Sequence, residues 1–379
     1  MTEKLYYIDS YISEFYATVL SVSEVELGYD VVLDKTAFFP EEGGQSADSG
    51  YIGDARVTYV YEKEGVVYHR VEKRLEKTDV FCKIDFDERF DKMQQHTAEH
   101  ILCGIVHRIY GYQNVGFHLG DDVVTFDIDH PLTREQLDEI EDLANEAVFN
   151  NLAVETYFPK AEELSSLQYR SKLDLAENVR IVKIGDVDSC ACCAPHVKRT
   201  GEIGLIKCLD FMHHRGGVRI TMCAGGRALR DYREKYRNIR EISAILCEPQ
   251  HTTAEALNRY SSDKEKIKLE LKTLRRAYAE SLASNVSAEN NLVVVLNHVE
   301  MDELRDFANK AVKNVGGILV ALMGEDGDYK YVMASQNIDL RAMSKDINCK
   351  LNGRGGGHSQ MIQGSIFTDI EKIKEYFEC

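Results

Sequence analysis

No stretch of this chain approaches the twenty consecutive apolar residues that a membrane helix requires, so no membrane span is expected. The N-terminus, Met1 to Tyr7, lacks an apolar core flanked by basic residues, which argues against a secretory signal. Cysteine is present, with ten residues, but mostly as isolated positions, so a disulfide framework is not indicated and buried thiols in a reducing cytoplasm are expected. Positive charge is in short supply: 46 Lys and Arg face 63 Asp and Glu, a formal net charge of -17. That balance excludes indiscriminate nucleic-acid binding, while a local basic track remains open in 227–280, where thirteen basic residues meet nine acidic ones. What remains is a globular composition, 44% hydrophobic and 29% charged, in 379 residues, a length for two or three domains.

The stretch His96-Thr97-Ala98-Glu99-His100 organises the rest. Apolar residues at 93, 98, 101, 102, 105 and 106 place it on an amphipathic helix, so two histidines four apart face the same way. Two imidazoles alone hold a zinc ion poorly, because Zn²⁺ takes about four ligands. Cys192-Cys193-Ala194-Pro195-His196 offers a second pair, Cys192 and His196, at the same spacing. One thiolate with three imidazoles suits a single Zn²⁺ per chain. Neither pair is specific alone, and Cys190 and Cys193 stand close enough in sequence to compete for the metal.

Residues 1–90 alternate as strands at 15–22, 28–34, 55–61, 66–71 and 79–85, from which a small N-terminal β-barrel domain is expected; the alternation does not itself separate barrel from sandwich. Within it, Thr36 precedes Phe38-Phe39-Pro40-Glu41-Glu42-Gly43-Gly44-Gln45, where Gly43 and Gly44 allow a close backbone approach and Gln45 offers both a donor and an acceptor. Residues 91–225 read as an α+β domain carrying the candidate ligands, with Thr133 and Gln136 forming a capping box ahead of a second helix and a short helix at 161–169. Residues 226–285 read as a helical linker or coiled coil, with Ile267, Leu271, Leu274, Tyr278 and Leu282 along one seam and a break at Glu248-Pro249-Gln250. Residues 286–379 read as a small α/β domain with a glycine-rich loop, in which Arg354, Gly355, Gly356 and Gly357 suggest a backbone pocket for phosphate without forming a Walker A loop.

Taken together, His96-x-x-x-His100, Cys192-x-x-x-His196, the Pro40 to Gln45 segment and Thr200-Gly201-Glu202-Ile203-Gly204 resemble the editing module of alanyl-tRNA synthetase and its long free-standing relatives, the alanyl-tRNA editing proteins. The resemblance spans the chain and implies a barrel, a zinc-binding editing domain, a helical linker and a glycine-rich C-terminal domain, with no aminoacylation domain ahead of them. It implies zinc on His96, His100, Cys192 and His196, a seryl-hydroxyl contact for Thr36, and a place beside the site for Gly43, Gly44 and Gln45. It also implies binding of nucleic acid or phosphate by the Gly355 to Gly357 segment, and a homodimer through the linker and C-terminal domain. The sequence departs from the family where Glu42 replaces the first of three glycines, Phe39 replaces a tyrosine, and Cys193-Ala194-Pro195 replaces Gly-Gly-Thr between the ligands.

The implied activity is hydrolysis of mischarged tRNA(Ala), chiefly Ser-tRNA(Ala) and in second place Gly-tRNA(Ala), with His96, His100, Thr36 and Gln45 as the catalytic set. Zinc either activates water or organises the pocket, and the sequence does not choose. Lys198, Arg199, Arg215 and Arg219 are the candidate RNA contacts. A non-catalytic tRNA-binding protein with structural zinc is the alternative. A phosphoesterase centred on the C-terminal glycines is weaker, because no Asp/His cluster fit for two metals lies near Gly355.

Overall fold

A computed structural model describes residues 1–164, 166–171 and 179–378. They form two compact units, Met1–Ile239 and Arg240–Cys379.

In the first unit, period-two alternation sets which side chains turn inward. Val67, His69 and Val71 are buried along Val66–Val71, and Val80, Cys82 and Ile84 along Asp79–Ile84. Strands Glu14–Val25, Gly28–Leu33, Val66–Val71, Ala55–Lys63, Gly50–Ile52 and Asp79–Ile84 are antiparallel neighbours in that order, and the last pairs back with the first. Val31, Leu33, Phe38, Ile52 and Val57 fill the ring.

The expected fold class nevertheless needs correction at both ends of the chain. A small N-terminal β-barrel standing as its own domain over 1–90 is overturned, because the ring is one part of a unit that extends to Ile239. The physical reason is Arg89, on the helix that follows. Its fully buried guanidinium pairs with Asp48 and donates to the carbonyls of Ala37 at 2.7 Å and Ser10 at 3.1 Å, tying that helix into the ring's contents. At the other end, the expected glycine-rich loop is a strand. Gly353–His358 pairs antiparallel with Met361–Ile366, with Gly355 opposite Gly364 and Gly357 opposite Ile362. Glycine carries no side chain to alternate, so the strand leaves no period-two signal in the sequence.

The helix Phe86–Tyr110 is the axis of the first unit. It ends at Gly111, whose φ of 72° supplies a left-handed cap. Met93, Ala98, Ile101, Leu102, Ile105 and Val106 are all buried on it. They share a core with helix Arg134–Phe149, which starts at the Thr133/Gln136 capping box, and with the strands Asn114–Leu119, Val124–Ile128, Gly217–Ala224 and Ile206–His214. A three-stranded sheet, Val154–Tyr157, Ile181–Ile184 and Asp188–Ala191, carries the cysteine segment. The expected helix at 161–169 is helical over Ala161–Leu164, and its position 165 lies outside the described residues.

The second unit holds helix Thr253–Asn285 and a five-stranded sheet ordered Leu292–Val295, Leu319–Glu325, Asp328–Ala334, Met361–Ile366 and Gly353–His358. Leu282 packs with Ala279 and Ala283 on this unit's core, whereas Ile267, Leu271, Leu274 and Tyr278 stay exposed.

Candidate metal centre

His96 and His100 lie one turn apart on the central helix, and their ring centroids are 5.3 Å apart. The segment after strand Asp188–Ala191 brings Cys192 and His196 against them, so that one donor atom from each residue lies within 4.8 Å of all the others. Cys192 Sγ is 3.7 Å from His96 Nε2 and 3.4 Å from His196 Nε2. A tetrahedral zinc with bonds of about 2.0 Å to nitrogen and about 2.3 Å to sulfur spaces its ligands roughly 3.3 to 3.6 Å apart. The four donors therefore fit that ion in type, number and spacing.

The outer nitrogens explain why the inner ones converge. His96 Nδ1 donates to Gln45 Oε1 at 2.9 Å, and His100 Nδ1 donates to Asp188 Oδ2 at 3.0 Å. The Thr97 hydroxyl gives its proton to the Met93 carbonyl at 2.7 Å, so it accepts from His196 Nδ1 at 3.0 Å. Each bond fixes the tautomer that leaves an Nε2 lone pair facing Cys192. Asp188 is held in turn by Arg170 at 2.7 and 2.8 Å. Arg180 donates to the carbonyls of Cys192 and Ala194 at 3.0 and 2.9 Å, which sets the path of the ligand segment.

The charges agree with this assignment. Burial opposes a thiolate at Cys192, yet His96, His100 and His196 together bring its thiol well below the usual range. Burial holds His196 neutral, down at about 3. Burial would also raise Asp188, but its bonds to His100 and Arg170 keep it below an ordinary carboxyl and hence ionised. At His100 burial opposes a proton, while Cys190, Asp188 and Cys192 outweigh it and favour positive charge there. A cation at the centre of the four donors meets the same demand.

The donors open on a cavity of about 440 Å³, which His96, His100, Cys192, Glu42, Gly43 and Cys193 help to line, with Tyr7, Phe117 and Phe158 as its aromatic walls. Gly43 and Gly44 adopt φ of 65° and 86°, and the Gly44 carbonyl accepts from Leu119 N at 3.0 Å. This docks the turn on strand Asn114–Leu119 and presents Gln45 to His96. Gln45 Nε2 is buried with no hydrogen-bond partner.

Thr36 sits elsewhere. It is buried inside the strand ring, where its hydroxyl donates to His69 Nε2 at 2.8 Å and accepts from Phe38 N at 3.1 Å, and it is not among the cavity's walls. Lys198 is exposed, paired with Asp9 at 2.9 Å. Arg199 donates to the Asn151 carbonyl at 2.5 Å, Arg219 pairs with Asp127 at 2.7 Å, and Arg215 is exposed in a turn with φ of 47°. In the second unit, Arg354 lies over the Phe367 ring at 5.6 Å, and Gly355, Gly356 and Gly357 are exposed along the strand. Cys190 is buried, with its thiol pushed up to about 11 by that burial, and Cys193 is half-buried. Sequence reasoning missed Thr97, Asp188, Arg170 and Glu99. Only Glu99 leaves a sequence signal, being three residues from His96 and hence on its face.

Three family descriptions match separate segments: tRNA synthetases class II (A) over residues 5–88, the second additional domain of threonyl and alanyl tRNA synthetases over 179–225, and the DHHA1 domain over 289–378. Among individual proteins, an alanyl-tRNA editing protein, AlaX-L, of Pyrococcus horikoshii is 29% identical over 98% of this chain and 96% of its own length. Alanine–tRNA ligases of Pyrococcus furiosus and Halobacterium salinarum are 33% and 34% identical over 100% and 90% of this chain, which spans only 43% and 39% of their lengths.

Proposed function

We propose, from the premise that this chain belongs with the alanyl-tRNA editing proteins and the homologous domains of alanine–tRNA ligase, that it is a hydrolase that deacylates mischarged tRNA(Ala) in trans. Ser-tRNA(Ala) is its chief substrate and Gly-tRNA(Ala) a lesser one. The observation that carries this reading is the set of three imidazoles and one thiolate opening on a cavity of about 440 Å³. A structural zinc site has no need of such an opening. Residues 1–90, 91–225, 226–285 and 286–379 act as its functional parts, the first two within one compact unit; the matched segments 5–88, 179–225 and 289–378 fall in the first, second and fourth.

A bound zinc ion would supply Lewis acidity toward an ester carbonyl or a water molecule. His96, His100, Cys192 and His196 would hold it, and Gln45, Asp188 and Thr97 keep the three imidazoles in the tautomer that can. Gln45 is fully buried and not among the cavity's walls, so it acts on the reaction through the His96 imidazole that it holds. Phe117 and Phe158 give the cavity apolar walls on which the acyl group can rest. Seryl and alanyl esters differ by one hydroxyl, and a hydrogen-bonding pocket rejects the substrate that lacks it far more strongly than an apolar pocket rejects one that has it. Thr36 acts on this choice from inside the ring through His69 and the Phe38 backbone. The surface cations Lys198, Arg199, Arg215 and Arg219 face the RNA. In the second unit the Arg354 to Gly357 strand takes RNA phosphates, and the exposed seam of Ile267, Leu271, Leu274 and Tyr278 pairs with a second copy to form a homodimer in the cytoplasm.

The test is deacylation of Ser-, Gly- and Ala-tRNA(Ala), alongside zinc-depleted protein and Cys192→Ala. Loss of the seryl ester first, the glycyl ester more slowly and the alanyl ester least, abolished in both controls, is the expected result. Survival of all three esters with zinc stoichiometrically bound would move the non-catalytic RNA-binding reading to the front.

A further inference from the structure

The central helix presents a third polar side chain to the cavity, beside His96 and His100. Glu99 follows His96 by three residues, so helical geometry puts its carboxylate on the His96 side of the helix, about 100° round from the adjacent His100. It is only 4% exposed, and it lines the cavity together with His96, His100 and Cys192.

Among the described residues, the hydrogen bonds that hold Glu99 in place come from neutral groups. One oxygen, Oε1, accepts from Asn114 Nδ2 and from the Cys103 thiol at 3.2 Å. Asn114 is itself fixed, since its Oδ1 accepts from Gly116 N at 3.0 Å. Two cations among the described residues line the same cavity: Arg170 directs two donors to Asp188 at 2.7 and 2.8 Å, and Arg180 donates to the carbonyls of Cys192 and Ala194 at 3.0 and 2.9 Å. A carboxylate at the wall of a cavity is a ready partner for a cation seated beside it. The substrate of the proposed reaction carries such a cation: an aminoacyl ester has an α-ammonium group one carbon from the carbonyl that reacts.

Building on the deacylase reading, we propose that Glu99 is the subsite for the α-ammonium group of the aminoacyl ester. The carboxylate orients the acyl group so that its carbonyl lies toward the His96, His100, Cys192 and His196 set. It also makes the cavity selective for acyl groups bearing a free amine. Glu99 takes no part in bond breaking and acts by binding.

The test compares Ser-tRNA(Ala) with its α-hydroxy analogue, in which a neutral hydroxyl replaces the ammonium at nearly the same size, on the parent protein and on Glu99→Gln. Glutamine keeps an acceptor for Asn114 and Cys103, and bound zinc is measured in both proteins. A charge-assisted hydrogen bond lost from a buried site corresponds to about a 10- to 100-fold effect. The expected result is that the parent prefers the free amine by about that factor in kcat/KM, that Glu99→Gln loses the preference by slowing only on the amine, and that zinc content is unchanged. Equal slowing on both esters, an unchanged preference, or loss of zinc would each overturn the proposal, while the deacylase reading would survive through the parent's own activity. A parent that hydrolyses neither ester would remove the deacylase reading and this inference with it.

Discussion

Replacing Asp188 by Asn perturbs the centre at its most connected point. The Asp188 side chain is 1% exposed and serves two partners at once, His100 Nδ1 at 3.0 Å and the Arg170 guanidinium at 2.7 Å. Asparagine keeps the shape and removes the charge. Arg170, whose side chain is 10% exposed, is then left as a buried cation without its counter-ion. Breaking a buried pair in this way costs about 3–5 kcal/mol. For a unit of this size that lowers the unfolding midpoint by roughly 2–4 °C per kcal/mol. Independently, the single amide oxygen of asparagine must serve both His100 Nδ1 and the Arg170 guanidinium where two carboxylate oxygens did, so the hold on the His100 tautomer weakens and zinc affinity should fall about 10- to 100-fold. Chelator competition measures the second effect and thermal unfolding the first. Adding Arg170→Met to Asp188→Asn isolates the first, since it should recover much of the stability. Zinc binding within about twofold of the parent would refute the view that Asp188 orients His100.

The pH dependence of stability should carry a signature of His69. Burial holds it down at about 4, against about 6.5 in an unfolded chain, so the unfolded state takes up the proton first as the pH falls. Its contribution is therefore complete above the unfolded value and is lost as the pH drops from 6.5 toward 4, a change of about 3 kcal/mol. Denaturant melts of His69→Gln across that window should slope less steeply by about one proton than the parent's. Gly44→Ala should destabilise the first unit by about 1–3 kcal/mol, because φ is +86° and the new Cβ would lie 2.7 Å from the Phe117 carbonyl; a melt indistinguishable from the parent's would remove the steric argument. Ile267→Asp combined with Leu274→Asp should convert a dimer to a monomer in light scattering, since both side chains are exposed on one helix face; a parent that is already monomeric would refute the seam.

The central helix was legible because its own neighbours encode it. Met93, Ala98, Ile101, Leu102, Ile105 and Val106 mark its buried side, and the same period brings His96 and His100 together. The Thr133 capping box was legible for the same local reason. Gln45, 51 residues from His96, entered through the family resemblance and not through spacing, and Asp188, 88 residues from His100, left no signal at all. No spacing rule reaches that far. The three-residue strand Gly50–Ile52, which joins Ala55–Lys63 to Asp79–Ile84, is too short to show a period. Thr36 was legible as a residue of interest, but only the ring's closure reveals that its hydroxyl turns toward His69.

Strand Gly353–His358 has a consequence for solubility. It lies at the end of its sheet order, paired on one side with Met361–Ile366, and its residues from Arg354 onward are exposed. Such a margin is a template on which further chains can add, and the hazard grows with strand propensity and falls with charge and glycine content. A Cβ added at Gly356 would meet nothing within 4 Å, so a valine there would meet no clash at that atom in the isolated molecule. The same change would stiffen the margin into a better template. A substitution that looks harmless in one copy would thus show its cost only in concentrated solution, as aggregation.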